Sequence, residues 1–333
     1  MTFSIEPVPP FRLDLTAWAI RRRPENLMDR WDGQSYRRVL AIEGKAVQVS
    51  VTQSGGKTAP RLHVIATDGR SDDFNKAAVI VALDRLLGTS IRLALFYRAA
   101  ADEPRLNNLV AKFRGLKPPR FPTVFEALVN GIACQQLSLL VGITLLNRLS
   151  EACGLGFRGP GSTQYAFPRP ADLARMQLRD LRPLGFSRNK GRALVELASA
   201  VAEERLDLER FAQLEDREAL SRLLELRGIG RWTAEYVLLR GLGRTNLFPG
   251  DDVGARNNLA RWLHLRKPLD YDRVGRVLGK WKQFAGLIYF HLLLSSLEAS
   301  GALDLKAVLE GKGLPNARDC LSTIVEGTGS QTA

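Results

Sequence analysis

Cysteine and histidine are scarce in this chain, which limits its metal and redox chemistry. The 333 residues contain three cysteines, no two of them in a Cys-x-x-Cys pair, and three histidines without metal-ligand spacing. They are Cys134, Cys153, Cys320, His63, His264 and His291. Three thiols cannot supply the four ligands of a zinc ribbon or an iron–sulfur cluster, and an odd, sparse set is typical of a reducing compartment. We therefore expect no disulfide framework, no metal site and structural roles for the histidines.

Long hydrophobic runs are also absent. No apolar stretch reaches the roughly 18 residues that a membrane-spanning helix needs. The longest candidate, residues 287–297, is interrupted by His291 and two serines and predicts a buried helix. The first residues, Met-Thr-Phe-Ser-Ile-Glu, lack the basic and apolar segments of a signal peptide. These features predict a soluble protein without a membrane partner.

Negative charge is in the minority. The chain carries 48 lysines and arginines against 35 aspartates and glutamates, a formal net charge of +13, and its pI is about 10.0. Such a balance favours a polyanionic partner such as nucleic acid. The basic run Arg21-Arg22-Arg23 is more typical of a solvated face than of a specific site. With 45% hydrophobic and 25% charged residues, the composition is otherwise that of a globular protein with a good core.

The chain divides by pattern into a mixed N-terminal part, a helical part and a tail. Residues 1–115 are expected to form an α/β domain with an antiparallel sheet. Residues 115–122, which contain three prolines, are predicted to be a linker. The pattern over 116–312 is helical, whereas 313–333 are polar and rich in small residues, as fraying tails are. The expected fold class is therefore α+β and mostly helical.

Local signals place the individual elements. Apolar and polar residues alternate over 47–51 and 62–66, which predicts half-buried strands. Thr123-Val-Phe-Glu126 has the spacing of a capping box and predicts the start of a helix. Residues 153–170, rich in glycine and proline, are predicted to form an ordered loop. The predicted helices cover residues 77–87 (with Gly88 as the stop signal), 106–113, 171–178, 188–204, 216–226, 232–241, 252–265 and 274–300.

One segment, Leu226-Arg-Gly-Ile-Gly-Arg-Trp-Thr-Ala-Glu-Tyr236, has the pattern of two helices joined by a glycine hairpin. Gly228 and Gly230 flank an isoleucine and leave the backbone amides without Cβ interference. Amides at the start of the next helix form an anion site, and Arg231 and Thr233 would add phosphate contacts. Such contacts hold nucleic acid without reading its sequence. The alternative is a tight helix–helix turn with the isoleucine in the core.

The segment Phe248-Pro-Gly-Asp-Asp252 places two carboxylates at the predicted start of another helix. As an N-cap, Asp252 would be held rigidly, and the helix terminus would favour its charge. Aspartates at such positions are most often only caps. That lesser role is the one we expect for Asp251.

Together these segments resemble the helix-hairpin-helix superfamily of DNA base-excision glycosylases, most of all the DNA-3-methyladenine glycosylase II or AlkA type. Residues 125–138 resemble the family's first core helix with its glutamine-containing turn, and residues 167–173 and 184–194 match the middle of that fold. The similarity covers about residues 120–295. It implies two helical subdomains with a cleft between them, preceded here by the smaller strand-containing domain.

The resemblance implies that Asp252 is the catalytic carboxylate. Cleavage of an N-glycosidic bond builds positive charge on the deoxyribose, and a nearby anion stabilises that oxocarbenium-like state and orients or deprotonates water. An alkylated purine already carries positive charge and leaves without a strong general acid. The expected enzyme therefore needs no metal and no cofactor. Relatives that also cut the DNA backbone have a Schiff-base lysine where this chain has Trp232, so we expect no lyase step.

Two aromatic residues are candidates for the base pocket. Trp232 and Tyr236 are four residues apart and hence on one helix face. The resemblance places both in the pocket, where their electron-rich faces would attract a cationic base, and the alternative is that they are core aromatics. Val253 and Leu293 stand where the AlkA type can have tyrosine and tryptophan. The pocket is therefore expected to be less aromatic.

The resemblance also implies residues that contact DNA. A glycosylase extrudes its target base, and a side chain must fill the gap. Gln136 aligns with this wedge position and Leu137 lies beside it, although an apolar wedge is usual. The alternative for Gln136 is a hydrogen bond at a helix end. Lys190 and Arg188 are expected on the DNA-facing side.

The sequence thus predicts a monofunctional DNA glycosylase that flips out and excises alkylated, 3-methyladenine-like bases from double-stranded DNA. The expected protein is monomeric and, in a bacterium, cytoplasmic and associated with the nucleoid. One alternative is the same fold acting on an oxidised or deaminated base. Another is a non-catalytic DNA-binding module that keeps the hairpin.

Overall fold

The computed structural model describes residues 1–159 and 162–303. The predicted polar tail, residues 313–333, lies outside these ranges. Within them, no helix is both long enough and apolar enough to cross a membrane. The α+β, mostly helical fold class is confirmed, since one antiparallel sheet near the N-terminus is followed by a helical body.

A five-stranded antiparallel sheet forms the N-terminal part. Its strands are β1 (Thr2–Ile5), β2 (Arg30–Trp31), β3 (Ser35–Ile42), β4 (Lys45–Ser54) and β5 (Arg61–Thr67). They lie in the order β1-β5-β4-β3-β2, and each neighbouring pair is antiparallel. Val47, Val49 and Val51 are fully buried, while the residues between them are partly exposed, which confirms the strand predicted from their alternation.

Four helices accompany the sheet: α1 (Leu13–Arg21), α2 (Lys76–Leu87), α3 (Ala94–Ala101) and α4 (Pro104–Lys112). The helix predicted at 77–87 is confirmed, and Gly88 ends it in the left-handed conformation at φ +61°. Helix α1 was not predicted. All its residues from Leu13 to Ile20 are buried, including the polar Asp14 and Thr16.

The remainder is helical apart from one small hairpin. Its helices are α5 (Val124–Cys134), α6 (Leu139–Cys153), α7 (Pro170–Leu173), α8 (Leu178–Leu181), α9 (Arg188–Ala202), α10 (Asp216–Leu224), α11 (Arg231–Arg240), α12 (Val253–Trp262), α13 (Tyr271–Val277) and α14 (Ala285–Ala299). Short 3-10 turns cover Glu209–Gln213 and Gly279–Phe284. Strands β6 (Gly156–Arg158) and β7 (Thr163–Tyr165) pair within the segment predicted to be an ordered loop.

Two of the predicted helices were wrong in extent. The single helix expected over 274–300 is divided into α13, a 3-10 turn and α14, because the backbone leaves the helical region at Trp281. The helix expected over 171–178 ends at Leu173 as the short α7, and a second short helix, α8, begins only at Leu178. In the first turn of each helix an aspartate, Asp172 or Asp180, accepts the backbone amide of the residue three positions earlier. This contact marks a separate helix start in each case.

Apolar packing forms two main cores. One joins the N-terminal sheet and helices α1 to α4 with helices α12 to α14, so that the two ends of the described chain share one core. The other lies within α5 to α11. This arrangement is the two-part helical body with a cleft that the resemblance implies. The domain boundary at residue 115 stays a prediction.

A buried ion cluster connects the sheet to the helical body. Arg38 on β3 lies between Asp29 and Glu126, and all three side chains are almost completely buried. Thr123 caps α5 by accepting the amide of Glu126, at 3.0 Å, as predicted. The capping box itself was a wrong prediction, because the Glu126 carboxylate pairs with Arg38 instead of turning back to the helix start. Burial raises the pKa of Glu126 although Arg38 opposes the shift.

Candidate active site

A cavity of about 1030 Å³ lies where the two cores meet. Its walls come from the end of α1, the turn between α5 and α6, the first turns of α11 and α12, and the middle of α14. The structure brings most of the predicted site residues to this one place. The predicted residues that line the cavity include Gln136, Lys190, Trp232, Tyr236 and Asp252. Arg22 and Tyr289, which were not predicted, line it as well.

Asp252 is held by both of its carboxylate oxygens at the start of α12. Oδ1 accepts the backbone amide of Ala255 at 2.8 Å, so the residue is the N-cap predicted from sequence. Oδ2 accepts the indole N–H of Trp232 at 3.3 Å. The carboxylate is half-buried at the N-terminus of this helix. It is therefore a fixed anion at the wall of the cavity.

Trp232 and Tyr236 form a continuous aromatic wall on α11. Their rings stack with centroids 5.5 Å apart and planes at 29°. Trp232 is half-buried and Tyr236 is buried, yet both line the cavity, so the predicted pair occupies it and also packs in the core. The Tyr236 hydroxyl donates to Asn130 Oδ1 at 3.1 Å, and burial raises the pKa of that hydroxyl.

Arg22 overturns the interpretation of the arginine run as a solvated face. Only 5% of Arg22 is exposed, and it lines the cavity from the end of α1. Its Nη1 donates to the Tyr236 hydroxyl at 3.0 Å and its Nη2 to Asn130 at 3.1 Å. Arg23 is exposed. The left-handed backbone of Arg22, at φ +63°, turns this one side chain inward, and three identical residues in sequence give no sign of which one it is.

The glycine hairpin adopts the predicted geometry. Gly228 has φ +77°, and a Cβ there would lie 2.9 Å from that of Ala193. Gly230 is the N-cap of α11 and provides no side chain to bond the first amides of the helix. Ile229 between them is 7% exposed and belongs to the second core. The segment is thus a packed helix–helix turn whose first α11 amides have no side-chain cap, as an anion site requires.

Two residues of the hairpin are placed differently from expectation. Thr233 is 1% exposed, and its hydroxyl accepts from Gln135 Nε2 at 2.8 Å, so its side chain is not a surface group for phosphate. Arg231 is half-exposed and forms a two-point ion pair with Asp251, at 2.6 and 3.2 Å. Asp251 therefore binds Arg231, and the helix-capping role expected for it belongs to Asp252 alone.

Glu235 is a site residue that the sequence did not reveal. It is 5% exposed and faces the turn that precedes Asp252. Its carboxylate accepts the amide of Gly250 at 3.0 Å and the hydroxyl of Tyr271 at 2.5 Å. The Arg231 guanidinium lies 3.7 Å from the centroid of the same tyrosine ring. Burial raises the pKa of Glu235 and raises that of Tyr271 to about 12. A glutamate within a helix is usually solvated, so the sequence carried no signal.

Comparison with known proteins agrees with this arrangement. Residues 129–283 match the family described as HhH-GPD superfamily base excision DNA repair protein. The chain is 30% identical over 179 residues to DNA-3-methyladenine glycosylase 1 of Schizosaccharomyces pombe, covering 53% of this chain and 74% of that protein. This chain belongs to the HhH-GPD superfamily.

Two further comparisons extend the similarity. The HhH-GPD chain is 30% identical over 200 residues to a DNA-3-methyladenine glycosylase of Bacillus subtilis, covering 60% of this chain and 66% of that protein, slightly under two thirds of its length. Its fold matches a 3-methyladenine DNA glycosylase from Archaeoglobus fulgidus with a TM-score of 0.77 and 26% identity. That match covers 91% of this chain and all of the archaeal one, so it includes the N-terminal sheet.

The predicted wedge of this HhH-GPD protein lies at the rim of the cavity. Gln136 is exposed in a left-handed conformation at φ +54°, and its side chain has no hydrogen bond within the described residues. Leu137 beside it is 43% exposed. The helix-end hydrogen bonds considered as the alternative are made by Gln135, which donates to the Gly228 carbonyl at 2.7 Å and to Thr233.

Lys190 has a defined structural contact. Its ammonium donates to the carbonyls of Ala133 and Gln135, at 2.9 and 2.7 Å, and so caps the C-terminal end of α5. Burial lowers its pKa. One of its three N–H groups is left for another partner. Arg188 at the start of α9 is exposed.

The rest of the cavity wall is mostly aliphatic. Val253 and Leu293, noted as departures from the AlkA type, both line it, and Val253 is 60% exposed. Tyr289 on α14 adds an aromatic ring that the sequence analysis missed. Its edge packs against Phe248, with centroids 5.8 Å apart at 85°, and burial together with the Asp252 charge raises the pKa of its hydroxyl. The cavity wall therefore combines aromatic rings from α11 and α14 with the aliphatic side chains of Val253 and Leu293.

Proposed function

We propose that this protein is a monofunctional DNA glycosylase that flips out alkylated, 3-methyladenine-like bases and excises them in base excision repair. The observation that carries the proposal is the Asp252 carboxylate, fixed by two hydrogen bonds beside an aromatic cavity. The names of the yeast, bacterial and archaeal relatives support the substrate class. In a bacterium, the protein would act at the nucleoid.

The proposed reaction breaks the N-glycosidic bond and leaves its electron pair on the base. Positive charge develops on the deoxyribose, and the fixed Asp252 anion stabilises that charge electrostatically. Water then adds to the sugar carbon and releases a proton, which the carboxylate or solvent accepts. An alkylated purine becomes neutral as it leaves, so the step needs no general acid.

The absence of a lyase step follows from the chemistry of the residues present. A Schiff base requires a primary amine near the sugar carbon, and the indole at Trp232 provides none. Lys190 lines the same cavity, but two of its N–H groups are held by backbone carbonyls. We therefore propose that the product is an intact abasic strand.

The proposed partner is double-stranded DNA with a damaged base, bound by a monomer. A net charge of +13 provides the non-specific attraction to the backbone. The first amides of α11, behind Gly228 and Gly230, would hold a phosphate. Gln136 and Leu137, exposed at the rim, would fill the space that the extruded base leaves.

Release of free base from alkylated duplex DNA tests the proposal. Wild type is expected to release 3-methyladenine, and Asp252→Asn is expected to lose this activity by about a hundredfold or more while still binding DNA. Asp251→Asn is the matched control, since the neighbouring carboxylate pairs with Arg231 and does not contact Trp232. Its release rate should stay close to wild type.

Three outcomes would contradict this proposal. Release that Asp252→Asn leaves unchanged means that another group is the acid. Release only from oxidised or deaminated DNA means a different lesion class. Binding to an abasic duplex without release of any base means a non-catalytic DNA-binding module.

A further inference from the structure

Arg22 is a buried cation in the wall of the proposed base pocket. Its guanidinium contacts two neutral groups, the Tyr236 hydroxyl and the Asn130 side-chain oxygen. These bonds use two of its five N–H groups, and its Nε is buried without a hydrogen-bond partner. Within the described chain it forms no salt bridge, although a buried charge is normally paired. A buried charge without a salt bridge interacts electrostatically with any group that occupies the cavity.

A second buried cation lies behind the same aromatic wall. Arg240 is 1% exposed, and its guanidinium carbon is 5.7 Å from the centroid of the Tyr236 ring. It donates to the carbonyl of Ala19 and, within residues 1–159 and 162–303, also takes part in no salt bridge. Asp251 at the rim is neutralised by Arg231. Among the described residues, the charged groups left around the cavity are thus Arg22, Arg240 and Lys190 against the carboxylate of Asp252.

We propose that Arg22 is a specificity-determining residue, which favours neutral bases with a hydrogen-bond acceptor on the inserted edge over bases that carry a positive charge. This inference rests on the proposed glycosylase function and refines its substrate class.

The physical reason is the difference between the two kinds of base. A neutral purine with a carbonyl oxygen, such as hypoxanthine, would accept from one of the two terminal N–H groups of Arg22 that have no protein partner, since Nε is enclosed by protein. A bond to a charged donor in a buried site is strong. A cationic base such as 7-methylguanine is repelled by the same group, and like charges in a desolvated site disfavour binding. Cationic alkylpurines would still be excised, because their glycosidic bonds are weak rather than because the pocket attracts their charge.

The test compares two duplexes that differ only in the damaged base, hypoxanthine or 7-methylguanine. The quantity measured is the ratio of the single-turnover excision rates, hypoxanthine over 7-methylguanine. This ratio does not depend on the fraction of active enzyme, so a variant that folds poorly is still informative. Arg22→Gln is expected to lower the ratio by about tenfold or more, as the loss of a charged hydrogen bond predicts.

Three variants accompany Arg22→Gln. Arg22→Asn is a second uncharged variant, because asparagine tolerates the left-handed backbone at φ +63°. It should lower the ratio as Arg22→Gln does. Arg22→Lys keeps the charge and Arg23→Gln alters the exposed neighbour, and both should leave the ratio near the wild-type value.

The possible results separate the inference from the function on which it rests. An unchanged ratio in both uncharged variants, with measurable release by wild type, overturns the role of Arg22 alone. An equal fall in Arg22→Lys overturns it as well, since charge would not be the determinant. If wild type releases neither base nor 3-methyladenine, the proposed glycosylase function fails first.

Discussion

The side chains at the cavity have distinct roles. Asp252 supplies the charge, and Trp232 both forms the wall and donates a hydrogen bond to that carboxylate. Arg22 and Tyr236, which both line the cavity, are joined by a hydrogen bond. The backbone amide of Ala255 and the indole of Trp232 together fix both oxygens of the acid. The orientation of the carboxylate therefore depends on α11 as much as on its own helix.

Replacing the indole donor tests this dependence. Trp232→Phe keeps an aromatic face but removes the N–H that binds Asp252 Oδ2. We expect the single-turnover release of 3-methyladenine to fall by roughly tenfold, the usual loss for a hydrogen bond to a charged group. Trp262→Phe is the control, because Trp262 packs on Trp281 instead. An equal rate for Trp232→Phe and wild type would show that the bond does not position the acid.

At the scale of elements, the turn between α11 and α12 ends at Asp252, and Glu235 stabilises that turn through hydrogen bonds. Its carboxylate links α11 to the backbone of Gly250 and to Tyr271 on α13. Arg231 binds Asp251 on the neighbouring stretch of the same turn. The hydrogen bonds of Glu235 thus hold the segment that ends at Asp252, whereas the Arg231–Asp251 pair lies near the surface and contributes little. The position of Asp252 therefore depends on contacts among α11, α12 and α13 and not on one sequence motif.

Two substitutions of Glu235 separate shape from charge. Glu235→Gln keeps an acceptor for the Gly250 amide and should retain most of the activity. Glu235→Ala leaves that amide and the Tyr271 hydroxyl without a partner and should lower kcat. Glu225→Gln, at an exposed residue, is the control and should leave kcat unchanged. Full activity of Glu235→Ala would refute the positioning role.

The pH dependence of stability provides a second measurement on the same residue. Burial raises the pKa of Glu235 above its unfolded value, so the folded state binds this proton more tightly than the unfolded state. The folded protein therefore loses stability from this group as the pH rises above about 4.3, while glutamine does not titrate. The Tm of Glu235→Gln minus that of wild type should increase with pH across this window. A constant difference would contradict the buried, titrating carboxyl.

At the scale of the whole molecule, polar contacts join the N-terminal sheet to the helical body. Arg38 on β3 reaches Glu126 on α5, and Asp29 completes the cluster. Arg22, at the end of α1, reaches Asn130 one turn further along α5. Helices α12 to α14, which include the acid, share a core with the same sheet. The N-terminal part therefore contributes Arg22 to the cavity wall and shares a core with the helices beside it, so it is an integral part of the fold.

Breaking the buried cluster should destabilise the entire fold. Arg38→Met leaves two carboxylates buried without a counter-charge, and such losses cost about 3–5 kcal/mol in the free energy of unfolding. Arg37→Met, which disrupts only the exposed pair with Asp32, should cost about 0–1 kcal/mol. Denaturant unfolding measures both. Equal values for the two variants would mean that the buried cluster contributes no more than a surface ion pair.

The sequence by itself determined the features that depend on neighbouring residues. The hairpin at Gly228 and Gly230, the N-cap at Asp252 and the strand of alternating valines all follow from local spacing, because backbone geometry and capping act over a few positions. The aromatic pair on α11 follows from the helical period. These patterns predicted the fold class, and the resemblance of the same segments to a known superfamily predicted the family.

Tertiary structure alone decided which ordinary residues joined the site. Arg22 is one of three adjacent arginines, Glu235 is a helical glutamate, and Tyr289 lies in a mostly apolar helix. Nothing within a few positions distinguishes them, since their burial is set by elements that are distant in sequence, such as α1 against α5 or α14 against the sheet core. Long-range packing removes these groups from water, and desolvation is what makes their charges and hydrogen bonds matter.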